Sequence, residues 1–330
     1  MKVFVIGSGS WGTTLAQICV ENGHEVLLYG NNADEISEIN KNHTNQRYFE
    51  HIKLNENLKA TTELELIRDF DVIVLSIPSI AIKKVCLDFQ KYLIKPIIVV
   101  NTAKGFEPES NMRMSDAIRS AFEPDKLKSV VSLIGPSHAE EVIIHMLTTV
   151  CAVSQKADDA KMIQQIFSNE YFRVYTGDDE IGSELGVAIK NSIALASGML
   201  SGLGYGDNTK AALITRGLAE MIRYGVACGG QQKTFMGLTG MGDLIVTCTS
   251  VHSRNFEAGF AIGKADSAQA FWENNHKTVE GVRTTQVLYH LKEEKGIEMP
   301  IVDEIYKVLY ENKKPSQSAK DLMLRELKAE

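Results

Sequence analysis

The chain has 330 residues, of which 44% are hydrophobic and 23% are charged, and its formal net charge is −7 at pH 7. This length exceeds what a single hydrophobic core usually serves, so we expect two domains of a globular protein rather than a disordered chain. The negative charge and the lack of a basic block argue against a nucleic-acid partner. The five cysteines are scattered and form no C-x-x-C pair, so we expect neither a disulfide framework nor a bound metal.

Short apolar, β-branched runs alternate with amphipathic segments through the first half of the chain. The runs are KVFVIG (2–7), HEVLLYG (24–30), DVIVLSIP (71–78), PIIVVNTAKG (96–105), SVVSLIGPS (129–137), TTVCAVS (148–154) and FRVYTG (172–177). Such strands, separated by helices, are typical of βαβ units and predict a parallel sheet covered on both faces. Beyond about residue 181 only helical patterns remain. We therefore predict an α/β domain over residues 1–182 and an all-helical domain over residues 183–330.

A glycine-rich segment, VIGSGSWGTTLA, follows the first predicted strand and opens a predicted helix. It places Gly7, Gly9 and Gly12 in G-x-G-x-x-G spacing. In dinucleotide-binding folds the first glycine permits a tight turn, the second lets the backbone approach a pyrophosphate, and the third allows close packing of helix on strand. The helix N-terminus then faces the anion. The segment predicts a Rossmann-type domain that binds NAD or NADP, and a glycine-rich turn without a ligand is the alternative.

The end of the second predicted strand leaves the choice between NAD and NADP open. Folds of this kind often carry an acid here, about 20 residues after the glycines, for the adenosine ribose. This sequence reads LLYGNNADE, with Asn31 and Asn32 at that place. Asp34 lies one turn too late for the ribose, and we interpret it as a helix N-cap.

A single lysine, Lys190, interrupts the apolar and small-residue run ELGVAIKNSIALASGML (184–200). A buried ammonium costs free energy unless it is paired or deprotonated. The longer run from Leu185 to Tyr205 could span a bilayer by its length, but Lys190 and Asn191 near its middle favour a buried helix instead. Because the first strand begins near residue 2 without an export signal, we expect a cytoplasmic protein that is not embedded in a membrane.

Seven segments together resemble the bacterial NAD(P)-dependent glycerol-3-phosphate dehydrogenases. They are GSGSWGTTLA, NTAKGFEPES, GPSHAEEV, ELGVAIKNSIALASGMLSGLGYGDNTKAALITRGLAEM, TFMGLTGMGDLIVTCTSVHSRNFEAG, VEGVRTT and EMPIVDEIYKVLYE. They occur in the family's order and extend to about residue 311. The resemblance implies a Rossmann domain followed by a helical domain, often as a homodimer. It also implies reversible reduction of dihydroxyacetone phosphate to sn-glycerol 3-phosphate, which supplies glycerophospholipid synthesis.

The resemblance implies that Lys190 is the catalytic proton donor and acceptor. In the reduction its ammonium would polarise the ketone and protonate the alkoxide, and in the oxidation the amine would take the proton back. Burial favours the neutral amine, so a buried lysine exchanges protons nearer neutral pH. Asp243 would orient Lys190 and favour its charged form, while Thr247 and Asn191 would complete the hydrogen bonding. Lys104 would be a second cation beside the substrate.

The remaining binding residues are likewise implied by the resemblance. Arg254, in the segment HSRN, would bond the substrate phosphate bidentately and contact the cofactor. The other substrate residues would be Gly135, Ser137, Ser253 and Asn255. The cofactor residues, besides the three glycines, would be Ser10, Trp11, Asn31, Tyr48, Lys104, Ala139, Thr278 and Glu280. For Trp11 an anchor of the first helix in the core is the alternative.

Two positions depart from the family's usual pattern: His138 replaces an aromatic residue and Leu147 replaces a proline. We interpret His138 and His145 as polar helix residues, not as metal ligands. Two other functions remain open. A 3-hydroxyacid dehydrogenase would share the architecture and the lysine but act on carboxylates, and the segments SRN and NTAKG favour a phosphate instead. A dinucleotide sensor without turnover would need a DNA- or partner-binding module, which the sequence does not indicate.

Overall fold

The computed structural model describes residues 1–274, 279–327 and 329. The chain divides into two compact units, Met1–Glu180 and Ile181–Glu330.

The first unit is built on one eight-stranded sheet. Its strands are β1 (Lys2–Ile6), β2 (Glu25–Tyr29), β3 (Lys59–Thr61), β4 (Val72–Leu75), β5 (Ile97–Asn101), β6 (Leu127–Ile134), β7 (Thr148–Val153) and β8 (Phe172–Gly177). They are ordered β3-β2-β1-β4-β5-β6-β7-β8 in space. The first six follow the 3-2-1-4-5-6 order of dinucleotide-binding domains, which confirms the predicted Rossmann-type fold.

Helices cover both faces of this sheet. They are α1 (Ser10–Glu21), α2 (Ala33–Asn42), α3 (Ser79–Phe89), α4 (Met114–Ala121), α5 (Ala139–Val142) and α6 (Ala157–Phe167), with short 3₁₀ turns at Leu64–Asp69 and Gln90–Tyr92. Side chains of β1 alternate between two cores: Val3 and Val5 face α1 and α6, whereas Phe4 and Ile6 face α3 and α4. Because both faces are buried, the strands are apolar throughout rather than alternating.

Two features of the sheet differ from the prediction. The edge strand β3 was not predicted, because its three residues, Lys59–Thr61, are too few for a periodic pattern. The pair β6–β7 is antiparallel, whereas we predicted a parallel sheet. A parallel crossover must return along the length of a strand, roughly 20 Å for six residues. The only helix in the connection, residues 135–147, is the four-residue α5, which is much shorter than the crossover helix that usually joins parallel strands.

The second unit is helical. Its elements are α7 (Glu180–Gly202), α8 (Asp207–Ala227), α9 (Gln232–Phe235), α10 (Asp243–Thr249), α11 (Arg254–Ala265), α12 (Gln269–Asn274), α13 (Glu280–Lys295), α14 (Pro300–Tyr310) and α15 (Pro315–Met323), with a π-helical turn at Leu238–Gly242. No strand occurs among the described residues of this unit. Helix α7 is buried along most of its length, as predicted. In the part of the chain that the structure describes, no helix is both long and apolar enough to cross a membrane.

Glycines bring the backbones of α7 and α11 into contact. The four glycines are spaced four residues apart on each helix, Gly198 and Gly202 on α7 and Gly259 and Gly263 on α11. A Cβ atom added to any of them would lie only 2.0–2.3 Å from a carbonyl oxygen of the other helix. No real Cβ tolerates such a distance, so only glycine permits this approach. The contact runs along α11 from Phe256 to Gly263 and joins it to the C-terminal part of α7, from Leu195 to Gly202.

A buried carboxylate caps the beginning of α14. Glu220 of α8 is 4% exposed. It accepts hydrogen bonds from the backbone N–H groups of Ile301, at 2.8 Å, and Val302, at 3.4 Å. Such first-turn N–H groups have no partner within their own helix. Burial raises the pKa of Glu220 to about 7, although the two N–H donors act in the opposite direction.

We expect Glu220 to make the stability of this unit depend on pH. Its pKa is about 7 in the folded protein against an ordinary value of 4.5. Its contribution to stability is therefore fully present below about pH 4.5 and is lost as the pH rises through about 7. Across this pH window the unfolding free energy of the wild type should fall more than that of Glu220→Gln, by on the order of 3 kcal/mol. Urea denaturation of both proteins at several pH values measures this, and parallel profiles would contradict it.

Candidate active site

The glycine loop of the first unit has the geometry that a dinucleotide pyrophosphate requires. Gly7 adopts φ of +113°, which side chains other than glycine rarely adopt. A Cβ on Gly12 would lie 1.8 Å from the carbonyl oxygen of Gly7, whereas no described protein atom lies within 4 Å of a Cβ built on Gly9. Helix α1 begins at Ser10, with no side chain capping its N-terminus. The backbone at Gly9 is therefore accessible to an anion, and the residues present fit the cofactor.

Trp11 is half-buried and packs against the core of the first unit. Its ring centroid lies 6.3 Å from that of Phe172 in β8, and its side chain packs against the larger core cluster of the first unit. This contact agrees with the alternative of a helix anchor and leaves part of the side chain exposed. The role of Trp11 toward the cofactor stays a prediction.

An acid that the sequence analysis missed lies beside the glycine loop. Glu35, in the first turn of α2, is 7% exposed and accepts a hydrogen bond from the Ser8 hydroxyl. Asn31 is exposed at the end of β2. Asn32 caps α2, since its Oδ1 accepts from the N–H of Asp34 at 3.0 Å and from that of Glu35 at 3.2 Å. The interpretation of Asp34 as the cap is therefore wrong.

Three predicted substrate residues meet at the C-terminal ends of β5 and β6. Lys104 donates from Nζ to the carbonyl oxygen of Gly135 at 2.9 Å, and the hydroxyl of Ser137 donates to the same oxygen at 3.1 Å. Gly135 adopts φ of +151°, which lets the chain turn there. Ala139 is buried at the beginning of α5. Ligands of open α/β sheets bind at this end of the strands, so the arrangement agrees with the predicted role of this cluster.

The two histidines of this region are not helix residues, which corrects our interpretation. His138 is the extended N-cap residue of α5. His145 follows that helix with φ of +61°, because α5 ends already at Val142. The His145 ring stacks on Tyr171 with centroids 4.2 Å apart, and Leu147 is 86% exposed. No group of three or more His, Cys, Asp or Glu residues that could hold a metal occurs among the described residues.

The second unit holds Lys190 in a buried polar cluster. Lys190 is 3% exposed and Asp243 is 1% exposed. The lysine Nζ lies 2.5 Å from Asp243 Oδ1 and donates to Thr247 Oγ1 at 2.7 Å. The Thr247 hydroxyl itself donates to the Asp243 carbonyl oxygen at 2.6 Å, so its lone pairs can face the lysine. This pairing offsets the cost of placing a charge inside an apolar helix.

A π-helical turn sets the position of Asp243. The turn covers Leu238–Gly242 and leads directly into α10, whose first residue is Asp243. A Cβ on Gly240 would lie 2.1 Å from the carbonyl oxygen of Phe235, and one on Gly186 of α7 would lie 2.5 Å from that of Thr239. The turn therefore packs against α7 backbone to backbone, one helical turn before Lys190. Single π-turns of this kind are frequent at functional sites.

The residue after Lys190 connects three helices. Asn255 Nδ2 donates to Asn191 Oδ1 at 3.0 Å, and the Gly281 N–H donates to Asn255 Oδ1 at 2.8 Å. A Cβ on Gly281 would lie 2.4 Å from the Asn191 carbonyl oxygen, so α13 also approaches α7 closely. These bonds tie the predicted substrate residues Asn191 and Asn255 to one another.

The N-terminus of α11 carries the predicted phosphate residues. Ser253 is its N-cap, and its Oγ accepts from the Phe256 N–H at 3.2 Å. Arg254 is the first helical residue and is exposed, whereas Ser253 and Asn255 are buried. A helix N-terminus with an arginine in its first turn is suited to an anion. Glu280 begins α13, and Thr278 lies outside the described residues.

This glycine loop on a Rossmann-type sheet is typical of a dinucleotide-dependent dehydrogenase. A family described as "NAD-dependent glycerol-3-phosphate dehydrogenase N-terminus" matches residues 2–160, and its C-terminal counterpart matches residues 179–320. The chain therefore belongs to the NAD-dependent glycerol-3-phosphate dehydrogenase family.

Individual relatives are similar to this chain over nearly their full length. The chain is 47% identical over 330 residues to a glycerol-3-phosphate dehydrogenase [NAD(P)+] of Enterococcus faecalis, covering 100% of this chain and 97% of that protein. It is 48% identical over 329 residues to one of Halalkalibacterium halodurans, covering 100% and 95%. The crystal structure of glycerol-3-phosphate dehydrogenase from Coxiella burnetii superposes with a TM-score of 0.90 at 32% identity, covering 98% of this chain and 99% of that one.

These findings confirm the predicted family, the fold class and the use of NAD or NADP by an oxidoreductase. The roles of the individual site residues stay predictions.

Proposed function

We propose that this chain catalyses the reversible NAD(P)H-dependent reduction of dihydroxyacetone phosphate to sn-glycerol 3-phosphate, with Lys190 as proton donor and acceptor. The observation that carries the proposal is the buried cluster of Lys190, Asp243 and Thr247. In a chain of this family, such a cluster supplies the proton that reduction of a ketone requires. We further propose a cytoplasmic homodimer that supplies glycerophospholipid synthesis.

Each residue of the cluster has its own role in proton transfer. A bound NAD(P)H would supply the hydride for the carbonyl carbon. Lys190 donates a proton to the oxygen of that carbonyl, and Asp243 and Thr247 fix the direction of its Nζ through bonds of 2.5 and 2.7 Å. A neighbouring carboxylate favours the ammonium, the form that an acid needs. Burial excludes water, which strengthens the attraction between the ammonium and the developing alkoxide.

The N-terminus of α11 is the proposed site for the substrate phosphate. The Arg254 guanidinium can form two parallel hydrogen bonds to phosphate oxygens, and a helix N-terminus itself favours an anion. Asn255 and Asn191 contact each other here at 3.0 Å. The helix that binds the phosphate is therefore hydrogen-bonded to the residue that follows the proton donor. Lys104 and Ser137 of the first unit stay predicted substrate residues.

We expect Arg254→Ala to raise KM for dihydroxyacetone phosphate by about 10- to 100-fold, because it removes a charge-assisted bidentate contact. The measurement is the initial rate of NADH and NADPH oxidation on addition of this substrate. Lys264→Ala is a matched control, since Lys264 is an exposed cation in the last turn of the same helix. It should leave KM unchanged.

Each alternative function has its own outcome in this assay. Turnover of 3-hydroxyacids but not of dihydroxyacetone phosphate would replace the proposal with the hydroxyacid dehydrogenase. Cofactor binding without turnover of any substrate would favour the sensor. If the wild-type protein turns over and both variants retain its KM, the phosphate does not bind at Arg254.

A further inference from the structure

We infer that Arg47 binds the 2′-phosphate of NADP(H) and thereby sets the cofactor preference of this protein. The inference rests on the proposed function, because it assumes that a dinucleotide binds at the glycine loop. It concerns the turn at residues 45–49, which packs against that loop.

The turn that carries Arg47 is firmly attached to the glycine loop. Asn45 is fully buried, and its Nδ2 donates to the carbonyl oxygen of Ser8 at 2.9 Å and to the hydroxyl of Thr13 at 3.0 Å. Two residues beyond Arg47, Phe49 is buried in the core, and its N–H donates to the Asn45 carbonyl oxygen at 2.9 Å. The backbone of Arg47 is therefore held on both sides relative to the pyrophosphate-binding segment.

The same turn is also tied to α2, the helix that follows β2. Glu38 of α2 accepts hydrogen bonds from the Gln46 N–H at 2.9 Å and from the Thr44 hydroxyl at 2.7 Å. The end of β2 is where dinucleotide folds place the adenosine ribose. Arg47 therefore lies in a segment that is hydrogen-bonded both to the glycine loop and to α2, the two elements beside the expected ribose site.

The guanidinium of Arg47 lies near the expected ribose site, and its contacts with the protein are weak. Its side chain is 67% exposed, and Nη1 lies 3.8 Å from Oε2 of the buried Glu35, too far for a hydrogen bond. The guanidinium carbon lies 5.4 Å from the centre of the Tyr48 ring. Because it makes no hydrogen bond to Glu35, the exposed guanidinium can bond a phosphate without breaking one, and it can do so while it stays near the buried carboxylate.

The charges around the ribose site favour a 2′-phosphate once Arg47 is counted. Asn31, at the end of β2, carries no charge that would repel a phosphate, in contrast to the acid that usually selects NAD. Glu35 accepts a hydrogen bond from the Ser8 hydroxyl and lies near Arg47, and Glu38 of α2 is hydrogen-bonded to the same turn. Arg47 is thus the cation that both neutralises the Glu35 carboxylate and bonds the added phosphate.

The test compares two nucleotides that differ only in the 2′-phosphate, adenosine 2′,5′-bisphosphate and 5′-AMP. Isothermal titration calorimetry of the full chain with each nucleotide measures how much the 2′-phosphate contributes to binding. The measurement needs no turnover. We expect Arg47→Ala to weaken binding of the bisphosphate about 10- to 100-fold relative to that of 5′-AMP. Arg47→Lys, which keeps the charge but not the bidentate geometry, should retain part of the discrimination. The ratio of kcat/KM for NADPH over NADH should fall in parallel.

Arg68→Ala is the control, since Arg68 is another exposed arginine of the first unit, in the 3₁₀ turn Leu64–Asp69. It should bind both nucleotides as the wild type does. The inference is overturned if Arg47→Ala weakens the binding of both nucleotides equally, which would indicate a structural role. It is also overturned if the substitution weakens the binding of neither. Because titration needs no substrate, this result can be interpreted even if the proposed reaction does not occur. If the wild-type protein bound neither nucleotide, the proposed function itself would be refuted.

Discussion

Replacing Lys190 with methionine should lower kcat for dihydroxyacetone phosphate reduction by about 10²- to 10⁴-fold, the range that a general acid contributes. Methionine keeps the length and apolar character of the lysine stem but has no proton to give. Binding of NADH should persist, because the glycine loop belongs to the other unit. Single-turnover measurement of hydride transfer, at saturating substrate, separates this loss from a change in KM.

A folding defect must be distinguished from a catalytic one here. Lys190→Met leaves the Asp243 carboxylate buried without its 2.5 Å partner, which is costly in itself. The double variant Lys190→Met/Asp243→Asn removes that charge as well and should recover the stability but not the activity. If the double variant recovered turnover, Lys190 would not be the proton donor.

Gly259→Ala should destabilise the second unit by about 3 kcal/mol, because its new methyl group would overlap a helix backbone. The added Cβ would lie 2.0 Å from the Leu195 carbonyl oxygen, and a backbone atom cannot move away as a flexible side chain can. Helices α7 and α11 would have to separate. Urea denaturation followed by circular dichroism measures the loss.

The control for this substitution is Gly206→Ala. Gly206 precedes α8 with φ of −88°, and no described atom lies within 4 Å of its built Cβ. Gly206 is the N-cap of α8, where alanine is less favourable than glycine, so we expect a loss of about 1 kcal/mol at most, well below that of Gly259→Ala. A similar effect of the two substitutions would show that the α7–α11 contact adapts. If it does not adapt, kcat/KM should fall too, since Asn255 would move away from Asn191.

The strands of the first unit were predictable because a sheet buried on both faces requires continuous apolar runs. Elements that depend on few residues were not. The strand Lys59–Thr61 is short, and the antiparallel return to β7 depends on the length of α5 rather than on any motif. The cap of α2 was assigned to Asp34 instead of Asn32 because both residue types favour that position, and spacing alone does not distinguish them.

The candidate site was accessible from the sequence to different degrees. Lys190 stood out as a charge in an apolar run. Its partner Asp243 lies 53 residues away, and only the family resemblance, not any spacing, connected the two before the helices were seen to pack. Glu35 was missed because an acid inside a helix usually faces solvent, whereas here the side chain reaches back to Ser8.

The carboxylate beside Lys190 also bears on which reaction the lysine avoids. An amine that meets a ketone can condense with its carbonyl carbon and expel water to form an imine, and enzymes that use this route keep their lysine neutral. An ammonium has no lone pair and cannot attack. A neighbouring carboxylate favours the ammonium, and in that form Lys190 would not trap the ketone, so the carbonyl carbon stays open to hydride.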